Sequence, residues 1–450
     1  MIPLLSSIRK NGITSPYGPV FFACALFLVA WLFPPATYTQ YMQEPDRMFL
    51  DPLTAIYFFL CAGAFVFGLR VQRSLNPAAW RQSLPSLRSA SPVLYLGLPL
   101  VAAILFAGAY LRVTGQRLNV VALLLAHQGE DLKTAQAAGV ALAAGGIWGF
   151  SSPLLTAVLW WSLLRLRQLR LGLSVRLPFV ILWLAGLFVG IVTSVSLVDR
   201  TSLMTMIAGC VLIFVFGRES EGHLGITRIA FYCSAAFSIV LGFFVALSLL
   251  RGNASNANFL IGNLLTYSIS PYNRLASLLH GEMFYLYGGR GIYLFRYLQE
   301  GGNTINKIFG FHAALNWPSA LVVFHSEFSS VMLAGLNSRA IWSGVFGYLY
   351  ADLGWGAPIY VFFVGIFAGY VWSRFTRGPA MAVTLYPWIV VWILFWHGSN
   401  VLFNLEFLEL IYVGILLAGW DRFSSVAAIS PEMGKAEKGL APGSVNPAST

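Results

Sequence analysis

Phe346-Gly347-Tyr348-Leu349-Tyr350-Ala351-Asp352-Leu353-Gly354-Trp355-Gly356 closes a polar stretch, Arg251 to Trp355, in a chain that is otherwise strongly apolar. The stretch carries Arg251, Arg274, Arg290, Arg296, Lys307 and Arg339 beside the glutamates Glu282, Glu300 and Glu327, and three of the six histidines, His280, His312 and His325. Long apolar runs flank it on both sides, and that contrast decides the class. Hydrophobic residues make up 58% of the 450 positions and charged residues 10%, against roughly 25% charged in a soluble domain. Several runs reach about 18 apolar residues, the length that crosses a hydrocarbon core of about 30 Å as a helix. The short alternating segments of an outer-membrane barrel are absent.

Reading each apolar run as a span predicts an all-α polytopic membrane protein of about ten transmembrane helices. Seven precede the polar stretch: Tyr17–Phe33, Pro52–Leu69, Pro92–Leu111, Ala137–Leu164, Leu177–Leu197, Leu203–Phe216 and Ile229–Leu250. Three follow it: Gly356–Trp372, Ala380–Trp396 and Val401–Trp420. The organisation expected is a transmembrane bundle over residues 1–250, a large periplasmic or re-entrant region over 251–355 between spans seven and eight, three further spans over 356–422, and a disordered tail over 423–450. Apolar pieces at Phe259–Tyr272 and Phe309–Leu336 add either no span, two spans or re-entrant segments, since an odd number would reverse the charge pattern downstream. Asn119–Gln128 reads as a short surface helix.

Charge sets the orientation. With the N-terminus inside, Arg9 and Lys10, Arg70 to Arg88, Arg165 to Arg176, Arg218 and Arg228, Arg374 and Arg377, and Arg422, Lys435 and Lys438 all fall on the cytoplasmic side, as the positive-inside rule requires. Both termini are then cytoplasmic. The basic residues of the polar stretch fall outside and need another explanation. A net charge of +11 would suggest nucleic acid in a soluble protein; here the membrane accounts for it, and no nucleic-acid partner is expected. Arg9 and Lys10 precede an apolar run that ends in Pro34-Pro35 without a small-x-small cleavage site, which reads as an uncleaved anchor. The four cysteines sit inside apolar runs and make neither a metal site nor a disulfide framework. No metal and no cofactor is expected.

Arginine suits an outward-facing anion because its planar fork binds phosphate oxygens in pairs. That reasoning selects Arg200, in the external turn Asp199-Arg200-Thr201, and Arg251, Arg274, Arg290 and Arg339 as candidates to hold a lipid diphosphate. The alternative for the polar stretch is a surface that touches anionic lipids without chemistry. His325 and Glu327 lie in the apolar run Leu321–Leu336, where ionisable groups are costly and face a cavity or each other. Two residues apart they do not share a helix face. Asp352 reads either as the N-cap of the eighth span or as a general base. Trp342, Tyr348, Tyr350 and Trp355 read as an interfacial belt whose flat rings also suit sugars. Glu406 and Glu409 stand near the outer end of the last span.

Together, Asp199-Arg200-Thr201, Asn337-Ser338-Arg339 and Phe346 to Gly356, after a long external loop late in the chain, resemble the Wzy O-antigen polymerases, the oligosaccharide repeat unit polymerases. The likeness covers about Leu177 to Trp372. It implies a GT-C-like fold and an inner-membrane glycosyltransferase active on the periplasmic face. Donor and acceptor would be undecaprenyl diphosphate-linked oligosaccharides, with a chain-length regulator as a protein partner. In that case the arginines neutralise the leaving diphosphate, and Asp352, then His325 or Glu327, takes the proton of the attacking hydroxyl. Tyr348, Tyr350, Trp342 and Trp355 would hold sugar. The other classes are a lipid-linked oligosaccharide flippase and an O-antigen ligase-type transferase.

Overall fold

The computed structural model describes residues 2–42, 44, 50–80, 98–113, 151–168, 173–196, 200–220, 257–295, 317–318, 320–338, 340–402 and 404–438, with the isolated positions 238, 242 and 245. The regular structure in them is helical throughout. In chain order the α-helices are α1 (Ile2–Asn11), α2 (Tyr17–Trp31), α3 (Pro35–Met42), α4 (Pro52–Leu75), α5 (Leu98–Val113), α6 (Ser151–Gln168), α7 (Leu173–Ser196), α8 (Arg200–Ser220), α9 (Ala257–Ser268), α10 (Ser270–Leu279), α11 (Ala320–Leu333), α12 (Gly344–Leu353), α13 (Ala357–Phe375), α14 (Ala380–Leu394) and α15 (Leu405–Lys438).

The expectation of about ten spans in a GT-C-like arrangement is corrected here. Among the described residues four helices are long and apolar enough to cross a membrane: Pro52–Leu75, Leu177–Ser194, Ser202–Ser220 and Gly344–Phe375. A fifth is added only if α2 and α3 are one broken span, and these two meet at 89°. The physical reason lies in what an apolar run can mean. It satisfies lipid and protein interior equally, so a helix apolar all round can be a buried core helix. α6 is such a helix. Trp160, Trp161, Ser162 and Leu164 are wholly buried in it, and it ends on Arg165 and Arg167. α14 is another, 15 residues long, with Pro387 inside it and nearly every side chain enclosed. The run at Tyr17–Phe33 turns aside at Pro34-Pro35 into α3. The helices at Leu98–Gly108 and Val322–Leu333 are apolar but short, so the polar stretch adds no full-length span among the described residues. The expected span Ile229–Leu250 falls almost wholly outside those residues, as do the start of the fourth span and the surface helix at Asn119–Gln128.

What replaces a ring of separate spans is one large packed interior, in which Trp160, Trp161, Trp372, Trp392 and Trp396 are all buried. Its tightest seam joins α4 to α13. A Cβ on Gly68 would lie 2.2 Å from the Phe362 carbonyl oxygen, and one on Gly365 would lie 2.2 Å from that of Phe65. Only glycine lets two backbones approach so closely, the small-residue device of helices in lipid. The pairing runs from Tyr57 against Trp355 to Gln72 against Gly369, so the two helices are parallel. They carry Asp51 and Gly356 to one end of the bundle and Arg73 and Arg374 to the other.

The second end is closed by polar bonds. The Arg165 guanidinium donates to Asp421 at 22% side-chain exposure and to Gln168. The Glu219 carboxylate accepts the Ile13 amide at 2.7 Å and the Thr14 hydroxyl at 2.5 Å, fixing the turn between α1 and α2. α15 continues to Lys438, past Ser424 where composition predicts a tail without fixed structure.

Candidate functional site

The first end of the bundle gathers α3, α10, α12 and the irregular segments 281–295, 337–338 and 340–343. Two networks meet there across the packed pair α10 and α12.

Arg274 is the centre of one. α10 opens with Pro271 in its first turn and buries every residue from Ser270 to Leu278, Arg274 among them at 0% exposure. A guanidinium in that position must be fully satisfied. Its Nε donates to the Ala340 carbonyl at 2.8 Å, Nη1 to the Tyr38 hydroxyl at 2.7 Å, and Nη2 to the Asn337 carbonyl at 3.0 Å and to the Glu44 carboxylate. Burial alone would lower the Arg274 pKa; the Tyr38 oxygen and the Glu44 carboxylate outweigh it and raise it above the ordinary value. Glu44 also accepts the Asn337 amide at 2.9 Å, while the Asn337 side chain donates to the Met42 carbonyl at 2.7 Å. The network thus ties the chain after α3 to the segment before α12. Arg274, expected to hold a diphosphate, instead has its guanidinium turned wholly into protein. The sequence reading did not single out Glu44 or Tyr38; the available signal was an acidic residue, Glu44, on the same side as the unexplained external arginines.

Asp352 organises the other network. It does not cap the following helix: it is the penultimate residue of α12, and Gly354, with φ 55°, ends that helix two residues later. One carboxylate oxygen accepts the Gly291 amide at 3.2 Å, and the other accepts Tyr293 at 2.7 Å and Leu294 at 3.0 Å. Gly289 donates its amide to the Ala351 carbonyl at 2.8 Å. The loop therefore wraps the last turn of α12. Gly289 and Gly291, with φ of 77° and 73°, let it turn sharply on both sides of Arg290, a conformation that costs glycine no steric strain. Arg290 stands exposed on this turn with its guanidinium 5.5 Å from the Tyr287 ring.

Beneath the loop Tyr285, Tyr293 and Tyr348 pack together, Tyr285 stacked on Tyr348 with centroids 5.4 Å apart. Burial raises the Tyr285 pKa. Its hydroxyl donates to the Ile341 carbonyl at 3.1 Å, and that of Tyr348 donates to Glu327 at 3.2 Å. Glu327 and Tyr348 are both buried, so neither offers a face to a ligand from outside, whereas His325 on the same helix is exposed. Asp352, Tyr348 and Glu327 are brought into one cluster; Arg274 belongs to the neighbouring one. Tyr350 and Trp355 pack against Tyr57 at 5.4 and 5.3 Å, with Trp355 half exposed, and Trp342 packs between Tyr267 and Phe395. Glu409 is buried in α15 and Glu406 partly so. Arg251, Arg339 and Asp199 lie outside the described residues, and Arg200 is described only as the first residue of α8.

At the rim, His280 ends α10 and sits 2.7 Å from Asp51, which caps α4 by accepting the Thr54 amide at 3.0 Å. Among the described residues no three His, Cys, Asp or Glu side chains gather as a metal ion requires. Comparison of the chain with protein-family models, with curated proteins and with solved structures returns no match.

Proposed function

We propose that the chain is an integral-membrane glycosyltransferase that polymerises undecaprenyl diphosphate-linked oligosaccharide repeat units at the periplasmic face of a bacterial inner membrane. The observation that carries this reading is Arg290. It is an exposed cation on a glycine turn, held in place by Asp352, at the end of a bundle whose apolar helices suit a bilayer. A guanidinium so placed is suited to a phosphate that is itself anchored in lipid. The family resemblance of Asp199-Arg200-Thr201 and the Phe346 to Gly356 run supplies the reaction.

In that reaction an acceptor sugar hydroxyl attacks the anomeric carbon of the donor, the bond from that carbon to the diphosphate oxygen breaks, and the diphosphate leaves on its lipid. Arg290 stabilises the departing charge. The hydroxyl proton passes to a base. His325 is exposed, while both oxygens of Asp352 accept loop amides, which supports His325 as the base. Trp355, half exposed and packed on Tyr350, offers a flat ring to a sugar.

Deleting the gene and separating the surface glycan on a gel tests the assignment. A single repeat unit on the lipid core, with the long ladder gone, supports polymerisation. Loss of all repeat units points instead to ligation or flipping, and an unchanged ladder overturns the proposal.

A further inference from the structure

The loop that Asp352 holds has an unusual outer face. From Met283 to Leu286, where the chain leads into the turn at 286–289, successive side chains alternate between buried and exposed. Met283 and Tyr285 point inward and are buried; Phe284 and Leu286 point outward at 67% and 61% exposure. Large exposed apolar side chains grouped on one side of a loop call for something to cover them. Here both faces are apolar, and Phe295 at the far end of the loop is exposed as well. Glu282 and Arg290, both exposed, bracket the apolar pair.

Two observations say what covers that outer face. The first is continuity. The loop is bonded to Ala351 and Asp352, immediately ahead of Trp355, Ile359 and Phe363, which are 52%, 66% and 60% exposed and follow one another along a helix apolar enough to cross a membrane. The loop thus stands at the head of a stripe of exposed apolar side chains. The second is composition at that level. Arg290 lies over Tyr287 within the loop, and Tyr350 and Trp355 pack together on either side of Asp352, to which the loop is bonded. Amphipathic aromatics and arginine together are the side chains that settle where lipid chains meet headgroups.

We infer that residues 282–295 form an interfacial lip: Phe284 and Leu286 enter the lipid of the leaflet at this end of the bundle, and Arg290 lies at the depth of the lipid phosphates. The occupant of the outer face is the bilayer itself. The Arg290 side chain is exposed, so its fork is open to a headgroup. The inference stands independently of glycosyl transfer. If both hold, the lip sets Arg290 at the depth where a lipid-linked diphosphate travels in the same leaflet.

The test uses the full, unsubstituted chain in proteoliposomes of phosphatidylethanolamine and phosphatidylglycerol. A lipid-soluble diazirine is photolysed in the bilayer and the modified residues are read by mass spectrometry. Modification at Phe284 and Leu286 as heavy as at Ile359 and Phe363 is the expected result. Modification at Ile359 and Phe363 with none between Glu282 and Phe295 overturns the inference. A second measurement places nitroxides at Glu282→Cys, Phe284→Cys and Leu286→Cys, each an exposed position, with the four native cysteines replaced. Labels at 284 and 286 should collide more with oxygen than with a water-soluble nickel chelate, and the label at 282 should do the reverse. Labels at 284 and 286 that meet the chelate as readily as the one at 282 put the loop in water, and labels that meet neither reagent put it against protein; either result overturns the inference.

Discussion

Arg274 and Glu44, 230 residues apart in the chain, form an ion pair from which solvent is wholly excluded. Such a pair adds little over an apolar packing of equal shape, because desolvation consumes most of the attraction. Removing one partner is different, since it strands a charge in the interior at a cost of about 3–5 kcal/mol. Glu44→Ala and Arg274→Ala should therefore each lower the thermal midpoint of the detergent-purified protein and its level in the membrane. Arg274→Lys should recover little, because an ammonium cannot reach Ala340, Tyr38, Asn337 and Glu44 together as the fork does. A melting curve unchanged by Glu44→Ala would show that the pair does not hold these segments.

The seam between α4 and α13 gives a second outcome. Gly365→Ala places a methyl against the Phe65 backbone, which no rotamer change relieves. The helices must part, at about 1–3 kcal/mol or more. Gly63→Ala on α4 meets nothing within 4 Å and should melt like the parent. Equal midpoints for the two variants would contradict the close approach.

Asp51 makes stability depend on pH. Burial pushes its carboxyl up, but bonds from the Thr54 amide, the Thr54 hydroxyl and the His280 ring outweigh this and hold it below the ordinary range. A depressed folded value contributes stability above the unfolded value, about 4, and loses it as pH falls through the folded value. The parent should exceed Asp51→Asn in thermal midpoint at neutral pH, and the gap should close below about pH 4. Asp51→Ala also removes the cap and costs about 1 kcal/mol. A gap that persists unchanged into acid would rule out this carboxylate as the titrating group.

The helical class and its apolar character could be read from composition, because hydrophobic runs of this length have few other uses. The number of spans could not. α14 carries a run as apolar as that of α4, and only the tertiary packing shows that nearly all of its side chains are enclosed while many on α4 are not. The site divides in the same way. Gly354 after Asp352 was a legible stop signal for α12, and it would have placed Asp352 at the end of a helix rather than the start of one. That Arg274 finds Glu44 was not legible, since the partner stands between α3 and α4, far earlier in the chain, and nothing local announces the pairing.

Asp352→Asn separates holding the loop from taking a proton. Asparagine keeps one acceptor oxygen where the carboxylate uses two for three amides, and bonds to a charged acceptor are worth about 1.5–3 kcal/mol each. Amide exchange over residues 289–295 should quicken in Asp352→Asn and more so in Asp352→Ala, while α4 and α13 keep their protection. Polymerisation should fall in parallel with that loosening. A variant with a fully protected loop and no polymer would identify Asp352 as a base instead.

Arg290 gives the sharpest division between stability and activity. It is exposed and rests against Tyr287, so Arg290→Ala removes no buried contact and should leave the melting curve within about 0.5 kcal/mol of the parent. A charge-assisted bond to a leaving phosphate contributes about 1.5–3 kcal/mol, and losing it in the transition state slows the step roughly tenfold or more. Arg290→Lys retains the charge but not the paired donors and should fall between the two. The comparison with Arg274 makes the reading strict, since both are arginines of the same polar stretch. Arg274→Ala should lose protein first and glycan as a consequence, whereas Arg290→Ala should lose long-chain glycan at normal protein level. Full-length glycan from Arg290→Ala at parental expression would remove this residue from the reaction and leave the exposed turn to its contact with lipid.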